Sequence, residues 1–346
     1  MTQNVAAEAG AVPAAPCPEG KLQSYRRLGK LDVFDYYLSA PVVLAAVLLP
    51  LSGLTGRAVG TLSLLLLGQV LVIMAMVALD DVTGYRDGSD LANYGPDHPL
   101  RNKLRKPLVA GTLTEREALR FAWTCAVAGA AVWALTVAVA PYRPLWAVVL
   151  LAALYVVSLQ YSYGLKISYH GFQEAFLVAL GLILVLAPYG LLTGQYTGFL
   201  LVQGLLFGFG PLMFGVYSNT NDVDGDRAVG RPTVAALVSP RGNAVFIGVL
   251  SAGEYLISVA ASVTGIAPWW FALVMLPAGC LRLRQYVTGF RGGNVMVARR
   301  TGFLVHRLSV VLLIVTNLLV GAGGASDAGG ALGALGALGA LGAGAS

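Results

Sequence analysis

Long apolar segments alternate along the chain with short polar connections. An α-helix needs about 20 apolar residues to cross the hydrocarbon core of a bilayer, and each of these segments is close to that length. The pattern therefore predicts an all-α integral membrane protein with about nine transmembrane helices. Their rough extents are 34–55, 58–80, 117–140, 144–163, 172–195, 197–220, 242–264, 267–286 and 301–322.

The composition agrees with a membrane protein. The 346 residues are 57% hydrophobic and 12% charged, with a mean hydropathy of +0.72, whereas a soluble domain is about 25% charged. Residues 1–30 are predicted to form a disordered tail, and residues 323–346 a low-complexity Gly/Ala/Leu tail. The residues between these tails, 31–322, are predicted to form one transmembrane domain. The three cysteines lie far apart, without the spacing of metal ligands.

The basic residues are concentrated on one side of the predicted membrane. Most of the 23 Lys and Arg residues fall in the N-terminal arm or in the loop that follows every second helix, whereas the opposite loops carry only Arg57 and Arg143. Because positive loops stay in the cytoplasm, we predict a cytoplasmic N-terminus. The net charge of +6 is explained in this way, and no nucleic-acid partner is expected.

The few acidic residues gather in two of the predicted cytoplasmic connections. The chain has only 17 Asp and Glu residues, and the two acidic segments follow the second and the sixth predicted helix. This recurrence predicts two similar halves around a central cavity, with both acidic segments on the same side. The segments contain Asp80, Asp81, Asp87, Asp90 and Asp97 in the first half and Asp222, Asp224 and Asp226 in the second.

The spacing of the acids favours a metal–diphosphate site. On a continuing helix, Asp80 and Asp87 share one face, and so do Asp222 and Asp226. Like charges at this spacing repel unless a cation lies between them, and Mg²⁺ prefers carboxylate oxygens. Basic residues in the same loops would neutralise phosphate charge. The alternative is an ordinary solvated charged loop; an EF-hand is excluded because Arg227 occupies the required glycine position.

Three segments resemble motifs of the UbiA superfamily of intramembrane prenyltransferases. NDVDGDRAVGRPT, residues 221–233, resembles the second acidic motif of the family. RKPLVAGTLTEREAL, residues 105–119, is similar to the segment that follows the first motif, and YSYGLKISYHG, residues 161–171, to the Tyr-Ser…Lys stretch of a later loop. The resemblance implies a central cavity in which Mg²⁺, expected as two ions, binds a prenyl diphosphate at the cytoplasmic face of the cell membrane.

The resemblance also implies roles for individual residues. The expected metal ligands are Asp80, Asp81, Asp87, Asp222 and Asp226, and all of these except Asp81 are expected to be catalytic. Asp90 is an alternative to Asp81 as a substitute ligand. The expected diphosphate ligands are Lys106, Lys166, Arg227 and Arg231, and the expected cavity-lining aromatic residues are Tyr161 and Tyr217.

The first acidic motif departs from the pattern of the family. It reads LDDVTGYRD, residues 79–87, with Leu79 in place of the leading Asn and Thr83 in place of the middle Asp. The connection from Asp87 to Lys106 is also longer than the family pattern. This departure leaves the ligands of the first metal ion open, and it resembles members of the superfamily that cyclise the prenyl chain.

Three functions remain as hypotheses. The first is transfer of a geranyl, farnesyl, geranylgeranyl or longer prenyl group to an acceptor, expected to be aromatic. The second is a terpene cyclase that needs no acceptor. The third is a transporter, which is disfavoured because the acids lie at helix ends, whereas transporter sites lie near the bilayer midplane. Glu254, His306 and Arg307 lie within apolar segments, where ionisable groups are often functional; the alternatives are a Glu254–Arg307 pair or side chains that reach the membrane interface.

Overall fold

The protein is all-helical in the part of the chain that the computed structural model describes, residues 20–31, 35–48, 55–94 and 103–342. Each of the nine predicted apolar segments overlaps one α-helix of the described residues. The helices are α1 Lys21–Leu28, α2 Ser39–Leu48, α3 Gly56–Arg86, α4 Ser89–Asn93, α5 Glu115–Val139, α6 Leu145–Leu159, α7 Gln173–Thr193, α8 Gly198–Asn221, α9 Val223–Ala228, α10 Val234–Leu237, α11 Pro240–Val263, α12 Phe271–Phe290 and α13 Val295–Gly342.

Six helices in the described ranges are long and apolar enough to cross a membrane. Two shorter apolar helices, Asp35–Val47 and Leu145–Leu159, accompany them. These findings establish a helical membrane protein, while the count of nine spans and the cytoplasmic N-terminus stay predictions. The six candidate spans are Gly56–Arg86, Glu115–Val139, Gln173–Thr193, Gly198–Asn221, Pro240–Val263 and Val295–Ala322.

Helix occurs in both regions that were predicted to be tails, and the predicted domain bounds stay predictions. The first was predicted to extend to residue 30, but α1 forms within it, and Leu28 is fully buried against α3. The low-complexity segment predicted from residue 323 belongs to α13 as far as Gly342. Ala and Leu are strong helix formers, so this repetitive composition extends a helix rather than ending it. Residues 1–19 and 343–346 lie outside the described residues.

Glycines allow α7 and α8 to pack closely in the centre of the molecule. A Cβ on Gly181 would lie 2.3 Å from the Cα of Gly208, so neither position has room for a larger residue. Such contacts between small residues let membrane helices approach at backbone distance. Pro211 lies within α8, which continues past it to Asn221. The close pairing therefore fixes the helix that leads into the second acidic segment.

Glu254 and Arg307 each have a charged partner, but they do not pair with each other. Glu254 of α11 accepts hydrogen bonds from Arg282 of α12, with Arg282 Nη2 3.0 Å from Glu254 Oε1. Arg307 of α13 instead pairs with Asp35, at 2.6 Å from Nε to Oδ2. The expected Glu254–Arg307 pair is therefore wrong. Arg282 is only 1% exposed, and pairing offsets the cost of burying its charge.

The two acidic segments meet at one end of the helix bundle. Asp80 and Asp81 lie in the last two turns of α3, while Asp222 follows the end of α8 and begins the short helix α9. The short helix α4 lies between them and packs against both α3 and α9. The fold thus brings together two segments that the sequence separates by more than 100 residues.

Candidate active site

A cavity of about 450 Å³ opens where the acidic segments meet. One part of its wall is apolar, with Met76, Val77, Leu177, Phe214 and Phe303. The other part is charged and combines carboxylates from both halves with basic residues. The charged lining consists of Asp80, Asp90, Asp222 and Asp226 together with Arg27, Lys30, Arg105, Lys106, Arg231, Arg299 and Arg300.

Asp80 is held in place by residues from three other segments of the chain. Ser162 Oγ donates to Asp80 Oδ1 at 2.6 Å, and Arg231 Nη2 lies 3.3 Å from the same oxygen. Lys30 Nζ is 3.8 Å from Asp80 Oδ2. A carboxylate with fixed partners on both oxygens points in one defined direction, here into the cavity.

Arg231 connects these partners. Its Nη2 donates to Ser162 Oγ at 3.1 Å and to Ser168 Oγ at 3.0 Å, and its guanidinium lies 5.1 Å from the ring centroid of Tyr169. Burial opposes the charged form of Arg231, but Asp80, Tyr161, Tyr169 and Asp226 together outweigh this effect and raise its pKa. Arg231 therefore stays a planar cation at the cavity wall, a form suited to binding phosphate oxygens.

Asp222 and Asp226 form the carboxylate pair of the second half. The two residues lie one helical turn apart, since the Asp226 backbone N–H donates to the Asp222 carbonyl at 2.9 Å. Thr233 Oγ1 donates to Asp226 Oδ2 at 3.1 Å. Burial raises the pKa of Asp226 to about 6, although Arg231 and Thr233 favour the ionised form. Asp224, between them in sequence, is exposed and does not line the cavity.

An amide pair beside these carboxylates was not predicted from the sequence. Gln173 Nε2 donates to Asn219 Oδ1 at 3.0 Å, and both residues line the cavity. Gln173 Oε1 is buried and has no hydrogen-bond partner among the described residues. A glutamine at the start of an apolar helix gives no sequence signal of its own, so only the fold reveals this oxygen.

The ammonium group of Lys106 lies between two carboxylates. Its Nζ lies 2.7 Å from Asp81 Oδ1 and 2.8 Å from Asp90 Oδ2. Lys30 Nζ contacts the same Asp81 oxygen at 2.8 Å. Burial disfavours the charged form of Lys106, but Asp81 and Asp90 outweigh this effect and raise its pKa well above the usual value. Asp81 is 1% exposed and does not line the cavity, whereas Asp90 does.

Three other predicted site residues lie beside the cavity without lining it. Asp87 accepts a hydrogen bond from the Tyr169 hydroxyl, and the ammonium of Lys166 lies 5.0 Å from the centroid of the same ring. Arg227 is exposed, and its Nε donates to the Ala236 carbonyl at 3.0 Å. Their predicted roles as metal and diphosphate ligands stay predictions.

The two predicted aromatic residues differ in position. Tyr161 lines the cavity and packs on Phe176, with ring centroids 4.7 Å apart. Tyr217 is fully buried outside it, 5.8 Å from the ring of Phe290 on α12. Its predicted place in the cavity is therefore corrected. Its neighbour Ser218 faces the cavity, and consecutive helical residues point in directions about 100° apart.

The helix α4 orders the region between the acidic segments. A Cβ on Gly225 would lie 2.4 Å from Asn93 Oδ1, so the Asn93 side chain covers the glycine between Asp224 and Asp226. On its other side, α4 places the Asp90 carboxylate over Gly84, where a Cβ would lie 2.8 Å from Asp90 Cγ. Asp97, further along this connection, lies outside the described residues.

The donor set fits Mg²⁺ on the α8–α9 side of the cavity. Asp222, Asp226 and the buried Gln173 Oε1 are oxygen donors of the kind Mg²⁺ prefers. No group of three or more His, Cys, Asp and Glu residues forms a preassembled metal site in the described ranges. Mg²⁺ usually completes its coordination with water and phosphate oxygens. On the α3 side, the carboxylates already contact Arg231, Lys30 and Lys106.

Comparisons with known proteins identify the same fold. The sequence profile of the UbiA prenyltransferase family matches residues 39–305. The apo structure of a UbiA homologue from Aeropyrum pernix K1 is 18% identical, with a TM-score of 0.60 and 81% of this chain and 97% of that chain covered. A UbiA homologue from Archaeoglobus fulgidus bound to GPP and Mg²⁺ is 13% identical, with a TM-score of 0.55 and 85% and 99% covered.

A structure of digeranylgeranylglyceryl phosphate synthase is also similar in fold. It is 12% identical, with a TM-score of 0.54 and 86% of this chain and 99% of that chain covered. No curated protein matches the chain.

Proposed function

Because the chain belongs to the UbiA prenyltransferase family, we propose that it is a Mg²⁺-dependent membrane enzyme that ionises a prenyl diphosphate and transfers the prenyl group to an acceptor. The acceptor proposed is aromatic, and the donor is a geranyl, farnesyl, geranylgeranyl or longer diphosphate. The similar A. fulgidus protein, bound to GPP and Mg²⁺, supports this class of donor. The excess of Lys and Arg in the loops of this side supports an active site that faces the cytoplasm.

The cavity carries the proposal, because its two parts match the two parts of such a substrate. Carboxylates and cations, including Asp226 and Arg231, would receive the diphosphate. The apolar wall, which includes Leu177 and Phe303, would receive the hydrocarbon chain. A transporter site at the bilayer midplane would not place its charges at the ends of α3 and α8.

Different residues of the chain would contribute to different parts of the ionisation step. Arg231 and Lys106 line the cavity as fixed cations and would bind the diphosphate oxygens. A Mg²⁺ ion held by Asp222 and Asp226 would neutralise the charge on the leaving diphosphate. The apolar wall would exclude water from the allylic cation, and the face of Tyr161 would favour the positive charge through its quadrupole.

A terpene cyclase on the same scaffold is the second candidate. Thr83 stands where the middle Asp of the first motif is expected, and it is buried and does not line the cavity. A cyclase would ionise the same donor and lose a proton after internal ring closure. The two reactions differ only in whether a second substrate is needed, which makes them separable by experiment.

The test uses the full chain purified in detergent with Mg²⁺ and geranyl, farnesyl or geranylgeranyl diphosphate. Diphosphate release and organic-soluble product are measured with and without an aromatic acid as acceptor. Product that requires the acceptor supports the transferase, whereas a cyclic terpene formed without it supports the cyclase. If no donor is consumed under any condition, while the protein remains folded by circular dichroism, the proposed function is wrong.

A further inference from the structure

A second, much smaller cavity lies behind the apolar wall of the main cavity. Its volume is about 20 Å³, which is room for one water molecule. Four residues line both cavities, so their side chains form the partition between the two. These residues are Tyr36, Pro211, Phe214 and Phe303.

The imidazole of His306 on α13 lines the small cavity. His306 is only 6% exposed, and its ring lies against that of Phe207 with centroids 4.9 Å apart. Its Nδ1 faces α8, where a Cβ on Gly210 would collide with it. The next residue of α8, Pro211, lines both cavities. Nδ1 is therefore placed beside the partition.

Nδ1 of His306 is buried and has no hydrogen-bond partner among the described residues. A buried polar atom without a partner is unfavourable, and a water molecule in the small cavity would provide one. Asp35 and Tyr36 also line this cavity, so a water there has other polar residues around it. The small cavity thus has both the volume and the lining that a buried water needs.

We infer that His306 is the proton acceptor of the proposed reaction, and that Nδ1 receives the proton through a water in the small cavity. The inference rests on the proposed function and adds a step to it, because both the transferase and the cyclase must lose a proton after the prenyl cation has reacted. The carboxylates of the site lie in the charged part of the main cavity, whereas the prenyl chain would lie along the apolar part.

The proton transfer balances for either reaction. In the transferase, a ring carbon of the acceptor bonds to the prenyl cation, and the C–H bond at that carbon then breaks. Its electron pair returns to the aromatic ring, and the proton passes to the water, which gives one of its own protons to Nδ1. In the cyclase, the C–H bond beside the cationic carbon breaks, and its electron pair forms a C=C bond. Both cations are very strong acids, so a neutral imidazole is a sufficient base.

The test separates ionisation from proton loss with His306→Phe, which keeps an aromatic ring and removes both nitrogens. The full chain, purified in detergent with Mg²⁺, receives geranyl, farnesyl or geranylgeranyl diphosphate, with and without 4-hydroxybenzoate as the aromatic acid. Diphosphate release in a single turnover should stay close to the wild-type rate, because ionisation precedes proton loss. Formation of transfer product or cyclic terpene should fall about 100-fold, and prenyl alcohol should appear instead.

Deuterium supplies a readout that a purely structural role would not change. In the wild type, ring-deuterated acceptor or fully deuterated donor should form product at the unlabelled rate, because C–H cleavage follows slow ionisation. In His306→Phe, C–H cleavage should limit the rate, and deuterium should slow product formation. If diphosphate release and product fall together without an isotope effect, His306 only supports the fold. If neither changes, the diphosphate or another base takes the proton, and either result would overturn the inference.

Two further variants complete the comparison. His306→Asn keeps an oxygen near the position of Nδ1 that can hold the water, but an amide is a far weaker base, so the same isotope effect is expected. This variant also serves if His306→Phe does not fold, and wild-type product formation in it without an isotope effect would contradict the inference. His170 is exposed and lines neither cavity, so His170→Asn should match the wild type.

The same assays distinguish this inference from the proposed function. If the folded wild-type chain consumes no donor, the proposed function is wrong, and the proton acceptor fails with it. If the wild type consumes donor and the His306 variants behave like it, the proposed function stands and only the role of His306 fails.

Discussion

Arg231 and Asp80 are 151 positions apart in the sequence, and their side chains lie 3.3 Å apart at the cavity wall. This ion pair joins the end of α3 to the loop that follows α9, and thus the two acidic segments to each other. Ser162 contacts both partners, at 2.6 Å to Asp80 and 3.1 Å to Arg231. The site is therefore held together by one arginine whose planar group serves several partners at once.

Arg231→Lys should lower the rate of diphosphate release, even though the charge is kept. The lysine side chain is shorter and lacks the planar guanidinium that lies over Tyr169, so its contacts with Ser162, Ser168 and Asp80 should be weaker. Arg227→Lys is the matched control, because Arg227 is exposed and outside the cavity. Both variants are compared for kcat and KM; equal effects would contradict the different roles that the contacts indicate.

Asp226→Asn should abolish most activity, and Asp224→Asn should not. Both residues lie in the same acidic segment, but Asp226 is buried in the cavity wall and Asp224 is exposed. Loss of a direct ligand should exceed the about 10–100-fold effect of losing an outer partner of a metal site. Diphosphate release measured at saturating Mg²⁺ tests this prediction. Full activity in Asp226→Asn would show that Asp226 is not a metal ligand.

Thr233→Val should weaken Mg²⁺ binding about 10–100-fold, because Asp226 loses the hydroxyl that orients it. Thr233→Ser keeps the hydroxyl and should stay close to the wild type. The measurement is the Mg²⁺ concentration that gives half-maximal activity. A loss of equal size in both variants would point to packing of the Thr233 methyl group instead.

Mg²⁺ binding should weaken as the pH falls below 6. Burial raises the pKa of Asp226 to about 6, so below that pH the ion must displace a proton, and its apparent affinity should fall about tenfold per pH unit. Above pH 6 the affinity should level off. In Thr233→Val the fall should begin at higher pH, because the lost hydrogen bond favoured the ionised form. Mn²⁺ titrations from pH 5 to 8 check this.

Removing one partner of the Glu254–Arg282 pair should destabilise the protein more than replacing both partners with apolar residues. Removing either partner alone leaves a buried charge, at a cost of about 3–5 kcal/mol, whereas replacing both with apolar residues is often neutral. Glu254→Met and Arg282→Met are therefore compared with the double variant by thermal unfolding in detergent. Additive losses in the double variant would show that the two residues stabilise the protein independently.

Most of the helical architecture could be predicted because the apolar segments have a length that fits only one kind of structure in a bilayer. The acidic segments could be placed in the same cavity from their positions at helix ends. Asp80, Asp222, Asp226, Lys106, Arg231 and Tyr161 do line it. These residues are polar or aromatic groups at the ends of otherwise apolar helices, where the sequence contrast is greatest.

The remaining features of the site could not be predicted, because the sequence of an apolar helix does not reveal which way each side chain points. Both faces of α8 are apolar, so the sequence could not show that Ser218 faces the cavity and Tyr217 faces α12. Asp80 and Asp81 are equivalent in the sequence, but only one of them points into the cavity. Lys30 was assigned to a tail because the contact of α1 with α3 is not encoded locally.

The buried pair between α11 and α12 also has a consequence for biosynthesis. An Asp, Lys or Arg at the centre of an isolated helix adds about 2.5–3.5 kcal/mol to the free energy of insertion from the translocon into lipid, and an ionised glutamate is also unfavourable there. Glu254 lies within such a helix, and its partner Arg282 is synthesised only with the next one. We therefore expect α11 to insert poorly alone and well as a hairpin with α12, which fixes an order of assembly for this half of the protein.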